Sequence, residues 1–176
     1  MADFLTDVKI IRERARQHLE AGAVTEGYKA DRKKVIAVLN DALATEIICV
    51  LRYKRHYYTA QGIHADAAKK EFAQHAGEEQ QHADWLAERI TQLDGAPNFS
   101  PEGLSTRSHA EYVEGKDLTE MIKEDLVAER IAIETYSEII RWLGNDDPTT
   151  RILIEQINKA EEEHANDMSD LLKKMS

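Results

Sequence analysis

Residues 125–168 read DLVAERIAIETYSEIIRWLGNDDPTTRILIEQINKAEEEHANDM, two runs without internal Gly or Pro on either side of the breaker GNDDP (144–148). On the first run Leu126, Glu129, Ile133, Tyr136 and Ile140 recur three or four residues apart, and on the second Ile154, Ile157, Glu161, His164 and Met168 do the same. That period is the signature of an amphipathic helix. A connection this short makes the two helices antiparallel neighbours. In such a hairpin, residues whose numbers are symmetric about the turn lie at one height. The midpoint of 129 and 161 falls on Asn145, so Glu129 and Glu161 face each other on the sides that should be buried.

The same design recurs earlier in the chain. A run over about 31 to 60 opens on Asp31 as a candidate N-cap and carries Val35, Leu39, Ala42, Leu43, Glu46, Val50, Tyr53 and Tyr57 on one face. After QGIHA (61–65), a run over about 65 to 93 carries Ala68, Phe72, His75, Glu79, His82, Leu86 and Leu93. The midpoint of Glu46 and Glu79 falls at Gly62, inside that turn. Helices are therefore expected over 31–60, 65–93, 118–143 and 149–174. The intervening 94–117 can span up to ~80 Å if extended, whereas a 30-residue helix is ~45 Å long, so it can cross the whole assembly. An all-α, single-domain chain over 1–176 follows: a four-helix bundle with a long crossover between its second and third helices. Residues 1–30 add a short N-terminal helix and connector. In this helix, over about 4 to 20, Phe4, Leu5, Val8, Ile11, Ala15 and Leu19 form a face to pack across the main body or against another subunit.

Composition supports helices and narrows the partners. The chain has 8 Gly and 3 Pro among 176 residues, about half the ~12% usual in globular proteins. Its 33 Asp and Glu outnumber 23 Lys and Arg, giving a formal net charge of −10. Such a surface repels phosphate backbones and anionic lipid, so neither nucleic acid nor a membrane is expected as partner, and cations are favoured. The single Cys49 cannot form an internal disulfide, and MADFLTDVKIIRERARQHLE lacks the apolar run of a secretory signal, which together suit the cytoplasm.

Glu79 and Glu161 each open a Glu-x-x-His: Glu79-Gln-Gln-His82 and Glu161-Glu-Glu-His164. Three residues apart on a helix is one face, so both side chains can reach the same ion. Each motif follows a lone Glu at a hairpin-matched height, which is an internal two-fold repeat. Glu46 is the most telling member, because Ala42, Leu43, Cys49 and Val50 flank it at three and four residues. An unpaired carboxylate there would cost several kcal/mol or be forced to protonate, and a cation removes the conflict. Four carboxylates and two imidazoles divide into one His and two to three Glu per ion, some Glu bridging. Oxygen-rich coordination with open positions suits Fe or Mn better than a closed tetrahedral zinc site.

Over about residues 31 to 172 the sequence resembles the bacterioferritins and their Dps-like relatives. DLVAERIAIETYSEII and ILIEQINKAEEEHANDM look like that family's third and fourth helices, and EEQQHADWLAERITQLDGAPNF like its second helix and exit. The resemblance implies a ferritin-like fold, with a ferroxidase centre that oxidises Fe(II) with O2 or H2O2 and a hollow homo-oligomeric shell that stores ferric mineral and limits oxidative stress. Carried over by position, two iron ions per subunit, with manganese as the alternative metal, would bind Glu46, Glu79, His82, Glu129, Glu161 and His164. Bacterioferritins hold haem through a Met directly after the second-helix ligand Glu. Here that position is Gln80, so no haem is expected. The short stretch after His164 leaves no room for a fifth helix, which favours a 12-subunit shell. DNA-coating Dps proteins generally use Lys-rich tails, and MADFLTDVKIIRERARQ has one Lys.

Further residues carry two readings each. Tyr53 and Tyr136, seven residues after Glu46 and Glu129, are either core tyrosines or donors to ligand carboxylates. His75 is either on the iron route or a satisfied core histidine. Gly77 suggests close helix packing beside the centre, and Asp146 and Asp147 either line an iron inlet or cap a helix before Pro148. Two other functions remain open on the same residues: a rubrerythrin-like di-iron peroxidase that stores nothing, and a helical interaction module whose buried charges only fix its packing.

Overall fold

The structure is a computed structural model that describes residues 6–175. Six α-helices are present among the described residues: α1 (Val8–Arg14), α2 (Arg32–Thr59), α3 (Ala65–Gln92), α4 (Leu104–Arg107), α5 (Leu118–Leu143) and α6 (Pro148–Met175). The Asp31 side chain accepts from the Lys34 amide at 3.2 Å and caps α2, and Asp117 caps α5 through the Glu120 amide at 2.9 Å. α2 pairs with α3 and α5 with α6 as two long hairpins, and these dock through α2 on α5 and α3 on α6. The fold is the all-helical ferritin-like bundle.

The crossover runs alongside α2 from its start to its end. Polar side chains of α2 fasten it at intervals: the Asn40 side chain accepts from the Asn98 amide at 2.7 Å, Thr45 from the His109 amide at 2.9 Å, and Arg52 donates to the Glu111 carbonyl at 3.1 Å. These bonds satisfy backbone groups that would otherwise lie unpaired against a helix. Between Asn98 and His109 the chain forms the single turn α4. At its far end Gly115 has φ +64°, and a Cβ there would lie 2.8 Å from the Met121 backbone nitrogen. Gly115→Ala therefore meets both an unfavourable backbone region and immovable backbone. It is expected to cost roughly 2 kcal/mol or more, a drop of about 4–8 °C in Tm by thermal unfolding of the metal-free protein.

Two apolar layers fill the bundle. One, built on Leu39, Leu43, Leu86, Ile90, Ile154 and Ile157, occupies the end with the α5–α6 turn. The other, with Tyr53, Phe72, Ile122, Met168 and Leu171, occupies the end with the α2–α3 turn. Between them, at mid-height, lies a layer of buried ionisable groups.

The N-terminal segment differs from expectation. Phe4 and Leu5 lie outside the described residues. The helix is shorter than 4–20: it stops at Arg14, and after His18 in the left-handed region at φ 51° only a 3₁₀ turn, Leu19–Ala21, follows. Val8, Ile11 and Leu19 are exposed, so the face does not pack across the main body. A seven-residue helix with no buried side has no packing energy to extend it. The connector does attach, because the Tyr28 hydroxyl donates to Asp147 Oδ2 at 2.9 Å and Val24 and Tyr28 pack on the first apolar layer. Asp147 is buried. It accepts from the Thr150 amide at 2.9 Å as the cap of α6 and pairs with Arg89 at 3.0 Å, so it lines no inlet. Gly77 is exposed and a Cβ there would meet nothing within 4 Å, which removes close packing as its reason.

Candidate metal centre

Each bundle helix brings one carboxylate to the polar layer: Glu46 from α2, Glu79 from α3, Glu129 from α5 and Glu161 from α6, all at most 1% exposed. α3 and α6 add His82 and His164, a turn beyond their glutamates. Because those two helices run in opposite directions, the Glu of each motif stands beside the His of the other. His82 Nδ1 lies 3.0 Å from Glu161 Oε1, and His164 Nδ1 lies 3.3 Å from Glu79 Oε1. Within the helices the spacing is similar, 3.5 Å from His82 to Glu79 and 3.3 Å from His164 to Glu161.

The ligand atoms gather into two overlapping groups. Glu46, Glu79, His82 and Glu161 form one, and Glu79, Glu129, Glu161 and His164 the other, the atoms of each lying within 4.8 Å of one another. Glu79 and Glu161 belong to both. Hydrogen bonds do not account for the arrangement: Glu79 Oε1, Glu129 Oε2, both Glu161 oxygens and His164 Nδ1 are buried without a hydrogen-bond partner among the described residues. Converging unpaired acceptors with one imidazole per group are the donor set of a divalent cation, and their oxygen-rich chemistry fits iron.

Four carboxylates and two imidazoles packed this closely perturb one another's protonation. Burial and the charge of Glu79 push Glu46 well above the usual carboxylate range. Burial and the charge of Glu46 raise Glu161 to about 7. For Glu129 burial acts upward, but contacts with His164 and Glu161 prevail and bring it to about 2. Burial alone would lower His82, yet Glu161, Glu46 and Glu79 around it push it up to about 12. His164 is raised in the same way by Glu129, Glu161 and Glu79 against its burial. Protons held on the two histidines thus balance part of the carboxylates' charge.

Two tyrosines tie the carboxylates across the bundle. The Tyr53 hydroxyl of α2 donates to Glu129 Oε1 of α5, and the Tyr136 hydroxyl of α5 donates to Glu46 Oε1 of α2. Each tyrosine therefore serves the glutamate of the opposite helix. Burial and the neighbouring carboxylates raise both phenol pKa values, which keeps them as donors. His75 is fully buried, stacked on His164 with ring centroids 4.0 Å apart, and its Nδ1 is 3.2 Å from the Tyr53 hydroxyl. Gln80 is exposed and donates to Asp84 Oδ1 at 3.1 Å.

Two features escape a reading of the sequence. Glu78, next to Glu79 but half-buried on the adjoining face, accepts from His164 Nε2 at 2.8 Å and orients that ring. One turn of α2 beyond Cys49, the fully buried Arg52 pairs with the fully buried Asp125 at 2.8 Å, and Asp125 also bonds His56 Nδ1 at 2.8 Å. The signal for Glu78 was a run of two acids before Gln-Gln-His; for Arg52 and Asp125, ionisable groups on otherwise apolar stripes.

Known proteins share the sequence pattern and the fold of this chain. The profile of the Ferritin family, a ferritin-like domain, matches residues 36–176. A bacterioferritin of Desulfovibrio desulfuricans is 31% identical over 140 residues, 78% of this chain and 74% of that one. A nutrient stress-induced DNA-binding protein of Synechococcus is 29% identical over 139 residues, covering 76% and 78%. Among solved structures, a dodecameric thioferritin, the bacterioferritin-related protein of Bacteroides fragilis, superposes with a TM-score of 0.80 at 31% identity over 84% of this chain and 89% of its own.

Proposed function

Because the chain belongs to the ferritin family, in which its bacterioferritin and Dps-like relatives support iron storage and ferroxidase activity, we propose that it oxidises Fe(II) at the six-residue layer within each subunit. The observation that carries this is the pair of overlapping groups sharing Glu79 and Glu161, with buried oxygens that no hydrogen bond uses. Two Fe(II) ions side by side deliver together the two electrons that reduce O2 to H2O2 or H2O2 to water. Glu79 and Glu161 span both positions. Glu46 and Glu129 are each held at one oxygen by a tyrosine; the other oxygen of Glu129 has no hydrogen-bond partner among the described residues, and that of Glu46 lies 3.2 Å from His82 Nδ1 within the same ligand group. His82 and His164 complete one group each, and the negative charge of four carboxylates favours the ferric product.

On this reading the chain, one ferritin-like domain over 1–176, assembles into a hollow 12-subunit shell that holds the mineral, as the dodecameric relative supports. Neither haem nor nucleic acid is part of it: Gln80 replaces the haem-binding Met, and the net charge of −10 disfavours DNA. Twelve chains of 20.0 kDa elute at about 240 kDa in gel filtration, and aerobic Fe(II) addition yields a soluble ferric product. A dimer that releases its iron would remove the storage role. Peroxide turnover with added reductant and no mineral would favour the rubrerythrin-like alternative.

The raised histidines add a quantitative expectation. An ion can bind His82 and His164 only after their protons leave, so loading the metal-free protein with Zn(II) at pH 7 should release about two protons per chain or more. Apparent affinity should then fall as pH is lowered. A pH indicator in weak buffer reads the release directly.

A further inference from the structure

The N-terminal helix α1 serves neither the bundle core nor the metal layer. Its apolar stripe of Val8, Ile11 and Ala15 is exposed, and at ~3.6 residues per turn Arg12 and Arg14 stand on the two rims of that stripe, with Glu13 opposite. Residues 8–18 hold Lys9, Arg12, Arg14 and Arg16 against Glu13, a net +3, which leaves −13 for the rest of the chain. Arg14 meets Glu26 at 3.9 Å, whereas the side chains of Lys9 and Arg12 have no ion pair among the described residues. A helix whose apolar side and charges both lack partners is shaped for a groove with an apolar floor and acidic rims.

One such groove lies between α5 and α6. Half-buried Leu126, Ile133 and Ala165 form its floor and exposed Glu134 and Glu162 its acidic sides, with Arg130 as one cation beside them, around a volume of about 460 Å³. Neither carboxylate has a hydrogen bond or ion pair among the described residues. The helix does not reach the groove of its own chain. Its connector is tied at the opposite end of the bundle, where Tyr28 bonds Asp147, and Glu162 lies ~21 Å along α6 from Pro148.

We propose that α1 docks in the α5–α6 groove of a second copy of this chain, with Val8 and Ile11 on Leu126 and Ile133 and with Arg12 and Arg14 beside Glu134 and Glu162. Charge complementarity selects that occupant: the helix at +3 is attracted to a body at −13, whereas the same body repels a membrane or a nucleic acid. Donor helix and acceptor groove are different surfaces, so the contact is heterologous and passes from copy to copy until a ring closes. Each copy then gives one helix and takes one, and the exposed stripe is covered throughout. The proposal needs two copies in contact but neither twelve of them nor iron, so a wrong subunit number or an inert metal layer leaves it standing.

The test joins the two surfaces chemically. Tagged chains carrying Ile11→Cys and untagged chains carrying Ala165→Cys are co-expressed, purified as assemblies and treated with a short bismaleimide. Native Cys49 is buried, so wild-type chains should not react, and a covalent dimer of one tagged and one untagged chain is expected. Arg12→Glu/Arg14→Glu should remove most of that adduct and raise the concentration of half-dissociation about tenfold. Glu134→Arg/Glu162→Arg should do the same, and the two reversals combined should restore both readings to within ~threefold of the starting protein. A monomeric wild type, no mixed adduct in the assembled protein, or combined reversals no better than either alone would overturn the docking. Binding to phosphatidylglycerol vesicles or duplex DNA that is lost with Arg12→Glu/Arg14→Glu, without a mixed adduct, would assign the helix to that polyanion and overturn it as well.

Discussion

Glu161→Gln is expected to slow aerobic Fe(II) oxidation by at least ~100-fold while raising the Tm of the metal-free protein at pH 8. Both effects have one cause. Glu161 stands in both ligand groups and neither of its oxygens has a hydrogen bond, so removing its charge disturbs both ion positions. Without metal the same charge is a burden. The carboxyl pKa rises from 4.5 to about 7 on folding, so the folded protein binds more protons than the unfolded one between those values. Metal-free stability therefore falls as pH rises through that window, and at pH 8 the ionised group costs on the order of 3 kcal/mol. Gln keeps the shape and removes the charge, which should return several °C of Tm. Glu163→Gln, exposed on the same helix and paired with Lys159 at 3.7 Å, serves as the control that changes neither. Calorimetry with and without Zn(II) reads the balance: wild type gains far more Tm from metal than Glu161→Gln.

The second large effect concerns folding rather than chemistry. Asp125→Ala leaves the Arg52 guanidinium, fully buried and bonded otherwise, among the described residues, to the Glu111 carbonyl and Cys49 Sγ, without its counter-ion. Loss of one partner of a buried ion pair costs about 3–5 kcal/mol, or roughly 10 °C of Tm at this chain length. Arg52→Leu/Asp125→Leu removes both charges and should recover much of that loss. A double variant as unstable as Asp125→Ala would show that the crossover bond to Glu111, and not the charge pair, carries the stability. His56 loses its Asp125 acceptor in both cases, so the comparison isolates Arg52.

The bundle was legible because its geometry is local. Helix period, two short turns and one long crossover leave few packings open, and number symmetry about Gly62 and Asn145 places Glu46 opposite Glu79 and Glu129 opposite Glu161. What the sequence does not encode locally is the register of one hairpin on the other. For that reason the tyrosines could be placed on the right stripes, but their exchange, Tyr53 to Glu129 and Tyr136 to Glu46, appears only in three dimensions. Pairing of Arg52 with Asp125 and of His164 with Glu78 depends on the same register. The N-terminal helix falls short of its sequence period for another reason: Val8, Ile11 and Leu19 have the spacing of a packed face but are exposed. Gly77 marks the converse error, a residue whose rarity in helices suggested contact where the surface is open.

The central claim is that the six buried residues form a two-iron oxidation centre, and stopped-flow mixing tests it most directly. The assembled metal-free protein, loaded anaerobically with two Fe(II) per chain and mixed separately with O2 and H2O2, should oxidise both equivalents in one fast phase with at least one of the oxidants. Glu46→Ala and Glu161→Gln should lose that phase. A wild-type protein without a fast phase with either oxidant, or variants that keep it, would contradict the account.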